Sequence, residues 1–225
     1  MDSGHMDSER TDVERVLAAA EAFVREQLAH DSSGHDWWHI ARVRNLTRTL
    51  ARAEGADRFV CELAALLHDV ADDKIAGSEE AGERLVREWL LAHAVAAPVV
   101  AQVMEIITTM SFGGGNRPAM RTLEGRVVQD ADRLDAIGAV GVARAFAYGG
   151  SRGRTLWDPG EAPRSYASKD AYRTSQSSTI NHFHEKLLLL KDRMNTDYAR
   201  RLAQQRHTYM LAFLDEFAAE WDAER

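Results

Sequence analysis

Proline placement is the feature that most constrains the fold. The chain has four prolines in 225 residues, and three of them fall between Pro118 and Pro163. Proline lacks an N–H donor and its ring clashes with the preceding turn, so helix interiors exclude it. Outside that stretch, apolar residues recur at helical spacing and no strand-like alternation occurs. The sequence therefore predicts an all-α fold with one loop-rich stretch.

Helix boundaries follow from the apolar spacing and from breaker residues. The first predicted helix starts at Thr11 and ends before the run Asp31–Gly34. Residues 1–10 repeat Met-Asp-Ser on either side of a Gly-His pair, which predicts a disordered tail or an expression scar. The other predicted helices cover about residues 36–53, 57–72, 78–94, 98–110, 122–147, 179–194 and 196–221.

Composition excludes several classes of protein. The formal net charge of −7 disfavours binding to nucleic acid or to an anionic membrane. Cys61 is the only cysteine, so an internal disulfide and a multi-cysteine zinc site are excluded. No apolar run approaches the roughly 20 residues of a membrane span, and the acidic start lacks the features of a signal peptide. We therefore expect a cytoplasmic protein.

Four polar residues on this helical scaffold suit a metal ion. His39 is in line with the apolar stripe of its helix, and His68 and Asp69 form a doublet near the end of the next helix. Asp132 follows in a later helix. Imidazole and carboxylate ligands together favour Mn²⁺, Fe²⁺, Co²⁺, Ni²⁺ or Zn²⁺ over a typical Mg²⁺ site. Four such ligands leave up to two positions of an octahedral ion open, as catalysis requires.

The order and flanks of these residues resemble the HD-domain phosphohydrolase superfamily. The likeness to one bacterial subfamily, implied to be metal-dependent nucleotide pyrophosphohydrolases, rests on the segments His35–Val43, Leu66–Lys74, Gln129–Gly138 and Asn181–Leu187. The resemblance implies a single-domain helical bundle over residues 11–225. Within it, the metal-binding core covers about residues 35–147 and the C-terminal helices about 179–221.

The resemblance implies four metal ligands, His39, His68, Asp69 and Asp132. Mn²⁺ is the expected ion, with Co²⁺, Ni²⁺, Fe²⁺ and Zn²⁺ as alternatives. Asp130 lies within one helical turn of Asp132 and is an alternative fourth ligand. Asp132 is preferred because its flanks resemble the terminal Ala-Asp motif of the superfamily. Asp130 would then bond the second nitrogen of a ligand histidine.

Three further residues are candidates for catalysis and substrate binding. Asp72 lies four residues after His68, on the same helical face, and matches an acidic residue that assists catalysis in related HD-domain nucleotidases. We expect Asp72 to orient the attacking water or to protonate the leaving group. Lys74 is expected to pair with a β- or γ-phosphate, and His35 to contact substrate. The alternatives are a solvated helix end for Asp72 and a helix-dipole partner for Lys74.

The predicted function is hydrolysis of nucleoside or deoxynucleoside triphosphates to monophosphate and pyrophosphate by a metal-activated water. Phosphomonoester hydrolysis, cyclic-nucleotide hydrolysis and a slow-turnover nucleotide sensor remain alternatives, because the same metal ligands serve several of these chemistries in the superfamily. The expected partner is a small nucleotide, and a homodimer is a further possibility that the last helices allow.

Overall fold

All secondary structure in the described residues is helical. The computed structural model describes residues 3–29, 36–71, 77–110, 119–164 and 177–224, with side chains from residue 11 onward. These ranges contain α1 (Ser3–Gln27), α2 (Trp37–Glu54), α3 (Arg58–Leu67), α4 (Glu79–Ala92), α5 (Ala97–Thr109), α6 (Leu123–Asp135), α7 (Gly138–Ser151), α8 (Thr179–Glu185), a 3₁₀ helix (Leu187–Arg193) and α9 (Asp197–Trp221). The prediction of an all-α fold is confirmed.

The described residues form two compact units, one up to Gln129 and one from Asp130 onward. Helix α3 is the centre of the first unit, where it packs against α1, α2 and α5. Every residue from Val60 to Leu67 is buried, because this helix is apolar on almost all sides. The residues that directly follow α3 are therefore attached to the most constrained part of that unit.

Side-chain caps mark the start of α2, α3 and α4 in the first unit. Asp36 accepts a hydrogen bond from the backbone N–H of His39 at the start of α2. Asp57 caps α3 in the same way, and Ser78 caps α4. Such caps satisfy N–H groups that have no partner within the helix. At its other end, α2 stops at Gly55, which adopts a left-handed conformation with φ of 75°.

The second unit is built around α9, which packs against α7 and the 3₁₀ helix, while α8 packs against α7. Aromatic rings fill much of this contact, with centroids 5.5–6.2 Å apart along the network. The rings belong to Phe146, Trp157, Phe183, Phe213, Phe217 and Trp221. Taken over the described ranges, no helix combines the length and apolar character needed to cross a bilayer.

The prediction of one continuous helix over residues 122–147 was wrong. The chain forms α6 and α7 separately, and Gly138 at the break has φ of +78°. The Leu134 carbonyl there accepts a hydrogen bond from the Ile137 N–H at 3.2 Å and a second one from the Arg206 guanidinium, so a distant side chain bonds the backbone at the break. Local apolar spacing continues through the break, and therefore cannot reveal it.

Two other helix boundaries also differ from the prediction. The segment predicted as one helix over 179–194 ends its α-helical part at Glu185 and continues as a 3₁₀ helix after Lys186. Helix α1 begins at Ser3 rather than at Thr11. The assignment of residues 1–10 to a disordered tail or an expression scar stays a prediction.

Replacing Gly138 by alanine should destabilise the protein. A residue other than glycine in the left-handed region costs about 1–2 kcal/mol. A Cβ atom would also lie 2.9 Å from Cγ of Arg206, closer than real Cβ contacts allow. We expect Gly138→Ala to lower the free energy of unfolding by about 2 kcal/mol or more in urea denaturation. Gly153→Ala is the control, since Gly153 has φ of +68° but open space around it. Equal losses in the two variants would contradict the role of Arg206.

Candidate metal centre

Three buried donors converge in the first unit. His39 Nε2 lies 3.5 Å from Asp69 Oδ2, and His68 Nε2 lies 3.3 Å from Asp69 Oδ1. One donor atom from each residue lies within 4.8 Å of the other two. Ligands at about 2.0–2.2 Å from one ion are separated by at most about 4.4 Å. The spacing of the three donors is therefore close to that of a metal site.

Helix α2 positions His39. The Asp36 cap binds the His39 backbone N–H at 2.9 Å, so the start of the helix is held at this residue. The imidazole is 1 % exposed and belongs to the same buried face of α2 as Val43 and Leu50. The prediction that His39 is in line with the apolar stripe of its helix is confirmed.

The end of α3 positions His68 and selects its tautomer. His68 Nδ1 lies 2.8 Å from the Ala65 carbonyl oxygen, which only accepts hydrogen bonds. In the neutral imidazole the proton is therefore on Nδ1, and Nε2 is the nitrogen that is left as a metal donor. This Nε2 is buried and has no hydrogen-bond partner among the residues that the structure describes. A buried acceptor without a partner is costly, and a metal ion would satisfy it.

The electrostatics of this cluster favour a cation. Asp69 is buried and its carboxylate lies between the two imidazoles, whose ring centroids are 5.5 Å apart. His68 is also the C-cap of α3, where the carbonyl end of a helix carries partial negative charge. Two nitrogens and a carboxylate are the ligand chemistry of a divalent transition metal. The residues present therefore fit such an ion.

Comparison with known proteins identifies the family. The HD-domain family model matches residues 37–137, a range that contains all three donors. An HD-superfamily hydrolase from Bacillus thuringiensis is 44% identical, with 94% of this chain and 99% of that one covered at a TM-score of 0.76. The chain belongs to the HD-superfamily hydrolases. HD domains bind divalent metals, in agreement with the buried cluster.

The likeness extends beyond the HD-domain match. Bacillus subtilis YpgQ is 43% identical over 194 residues, which are 85% of this chain and 87% of YpgQ. The crystal structure of YpgQ in complex with ADP has a TM-score of 0.72 at 38% identity, covering 91% of this chain and 97% of YpgQ. A structure from Lactobacillus plantarum has a TM-score of 0.82 at 43% identity, covering 93% and 98%. The likeness to these two proteins therefore covers the C-terminal helices as well as the HD domain.

Four further residues of this HD-superfamily hydrolase were predicted to belong to the site. Asp132 is a half-buried residue of α6 and belongs to the second unit. His35, Asp72 and Lys74 lie outside the described residues. The metal and substrate roles of all these residues stay predictions.

Asp130 has a structural role that the sequence did not reveal. Its buried carboxylate accepts hydrogen bonds from the backbone N–H groups of Asn195 and Thr196 at 2.8–3.1 Å. The Asn195 amide and the Thr196 hydroxyl add bonds of 2.9 and 2.8 Å. Burial raises the pKa of Asp130, and these hydrogen bonds oppose the shift. The carboxylate therefore anchors the residues that precede α9.

A second charged cluster in the HD domain was also missed. Glu62, in the middle of α3, is completely buried and binds the guanidinium groups of Arg44, Arg48 and Arg58. The available signal was an acidic residue inside an otherwise apolar helix, with two arginines one turn apart on the preceding helix. A charge in such a position is buried only when it is paired.

Loss of any one of the three donors should remove the metal. Alanine at His39, His68 or Asp69 is expected to weaken binding of Mn²⁺ by more than about 100-fold, because even outer-shell partners account for about 10–100-fold. Metal content is measured after metal-stripped protein has been reloaded with Mn²⁺. The affinity is measured by titrating the metal-stripped protein with Mn²⁺. His93→Ala is the matched control, since His93 is in the same unit but its Nδ1 bonds the Trp89 carbonyl. Full metal content in a donor variant would contradict the assignment.

Proposed function

We propose that this HD-superfamily hydrolase cleaves nucleoside or deoxynucleoside triphosphates to the monophosphate and pyrophosphate. The observation that carries the proposal is the buried cluster of two imidazole nitrogens and a carboxylate, with the lone pair of His68 Nε2 oriented by the Ala65 carbonyl. Similarity to YpgQ, whose crystal structure contains ADP, supports a nucleotide as the substrate. The residue pattern that resembles nucleotide pyrophosphohydrolases supports cleavage between the α- and β-phosphates.

His39, His68 and Asp69 would hold the ion, and we propose Mn²⁺ as that ion. A bound divalent metal lowers the pKa of a coordinated water and neutralises charge on a phosphate oxygen. The fold shields the three donors from solvent and restricts their movement, since each residue is less than a tenth exposed. Histidines bind a metal in their neutral form, so the negative charge of this site would come from its carboxylates and would offset charge of the divalent cation.

We assign the fourth ligand to Asp132 rather than to Asp130. The Asp130 oxygens already accept hydrogen bonds from Asn195 and Thr196. Binding a metal would require Asp130 to give up bonds that hold the backbone before α9. Asp132 has the flanks of the superfamily motif and is half-buried.

The resemblance supports roles for three residues outside the described ranges. Asp72 would orient the attacking water or pass a proton to the leaving pyrophosphate. Lys74 would neutralise a β- or γ-phosphate as a compact positive charge. His35 would contact the substrate. The chain itself would thus supply the proton transfer and the polyphosphate contacts.

The test of the proposed function is a product assay. Metal-stripped protein receives Mn²⁺ and a panel of nucleoside tri-, di-, mono- and cyclic phosphates, and the products are separated by ³¹P NMR. Pyrophosphate with monophosphate is the expected result. Inorganic phosphate from monophosphates, opening of a cyclic phosphate, or binding without turnover would each contradict the proposal and favour one of the other nucleotide chemistries.

Asp130 and Asp132, both in α6, should differ in their effect on metal binding. We expect Asp132→Asn to reduce Mn²⁺ affinity by at least about tenfold and to abolish turnover, since a first-sphere ligand is lost. Asp130→Asn should mainly lower the free energy of unfolding, because a buried amide cannot accept all the bonds that the carboxylate accepts. The measurements are Mn²⁺ titration and urea denaturation of each variant. Reversal of the two results would assign the metal to Asp130.

Lys74 provides a separate check of substrate class. Lys74→Ala should raise KM for triphosphates more than for any monophosphate that binds, because its partner is a β- or γ-phosphate. Steady-state kinetics with both substrate classes measures the difference. An equal change in KM for the two classes would contradict a polyphosphate contact.

A further inference from the structure

Glu62 and its partners Arg44, Arg48 and Arg58 form a cluster that links α2 to α3, and we call this cluster the clamp. The two carboxylate oxygens of Glu62 have different partners. Oε2 accepts hydrogen bonds from Nε of Arg44 at 2.9 Å and from Nε of Arg48 at 2.7 Å. Both arginines belong to α2, whereas Glu62 belongs to α3. Oε1 accepts from Nε of Arg58 at 2.5 Å, which is within α3 itself. One oxygen therefore joins two helices and the other joins residues of a single helix.

The clamp places charge inside a helix that is apolar on almost all other sides. Glu62 is completely buried, and the Arg44 side chain is 12% exposed and also bonds Glu21 of α1 at 3.0 Å. Burying an ion pair costs desolvation free energy, so replacement by apolar residues is often neutral or stabilising. What a directional ion pair adds is a fixed register between the elements that it joins.

The two helices joined by the clamp are those that carry the metal donors. Arg44 lies five residues after His39 on α2, which is about 7.5 Å along the helix axis. Glu62 lies six residues before His68 on α3, or about 9 Å. Any slide or rotation of α2 along α3 would change the 3.5 Å separation between His39 Nε2 and Asp69 Oδ2. The clamp opposes that motion within two helical turns of the donors.

We propose that Glu62, with Arg44 and Arg48, positions His39 against His68 and Asp69 and thereby sets the metal affinity of the site. Glu62 acts through the helices and does not touch the ion, so it is a positioning residue. The inference rests on the metal-binding role in the proposed function, but it does not depend on which nucleotide is hydrolysed.

The ionisation of Glu62 is consistent with this role. Burial alone would raise the pKa of its carboxyl, but the hydrogen bonds from Arg58, Arg44 and Arg48 hold the pKa below the ordinary value. The carboxylate is therefore charged at neutral pH. Its contribution to stability is present above the ordinary glutamate pKa and is lost as pH falls through the lower pKa of the folded state.

The chain offers a matched pair of variants to test the clamp. Arg48→Ala removes a bond between α2 and α3, and Arg58→Ala removes a bond within α3, so each deletes one of the three guanidinium partners of Glu62. Neither side chain is buried, with exposures of 39% and 69%. The experiment titrates metal-stripped full-length protein with Co²⁺, whose visible absorption reports ligand number and geometry. Urea denaturation of the metal-free variants measures stability separately.

We expect Arg48→Ala to raise the Kd for Co²⁺ by about tenfold and to alter the Co²⁺ spectrum, whereas Arg58→Ala should stay within about twofold of the parent protein. A cluster with a merely structural role would lower stability without changing Co²⁺ affinity of the folded protein. The same Kd in both arginine variants would therefore overturn the proposal. Failure of the parent protein to bind Co²⁺ would instead refute the metal role in the proposed function.

Glu62→Gln keeps the test decisive if Arg48→Ala does not fold. The amide has nearly the shape of the carboxylate but has no charge, so the ionic link between α2 and α3 is lost while the volume in the core is kept. We expect at least the loss of Co²⁺ affinity given for Arg48→Ala. Parent-like affinity in folded Glu62→Gln would overturn the proposal independently of the arginine variants.

Discussion

The packing of α2 against α3 is the interaction on which the candidate site depends. Neither helix alone carries the three donors, since His39 comes from the start of α2 and the other two follow the end of α3. Helix α3 is buried between three neighbours, so its C-terminal end has little freedom to move. A metal site needs donors held to within a few tenths of an ångström. The apolar core supplies that rigidity without changing the chemistry of the donor groups.

Buried polar groups of the chain are used in three different ways. The His68 Nδ1–H group donates to a backbone carbonyl, which leaves the opposite nitrogen as a metal donor. The charge of Glu62 is balanced by arginines from two helices, and Glu62 holds the register of α2 along α3. The Asp130 carboxylate accepts hydrogen bonds from the segment before α9 and holds that segment in place. Glu62 and Asp130 have the hydrogen-bond partners that their burial requires, whereas His68 Nε2 has none among the described residues and is left for the metal.

Sequence periodicity predicted the helical class correctly, and it placed His39 on the buried face of α2. It failed at the break between α6 and α7, because the apolar spacing continues there while the backbone turns at Gly138. The break is stabilised by Arg206, which is distant in sequence. Periodicity reports only which face of a helix is apolar, and contains no information about a backbone group that a remote side chain satisfies.

The sequence by itself determined the residue types of the site and their order, and with them the family and the class of chemistry. Histidine and aspartate at these positions allow a divalent metal whatever the details of packing, because ligand preference is a property of the side chains. Only the tertiary structure decided that His39 meets His68 and Asp69, that the Ala65 carbonyl sets the tautomer of His68, and that Glu62 links the two helices. Those facts depend on how α2 lies along α3. Helix register is set by many weak contacts between residues far apart in the chain, so no local pattern encodes it.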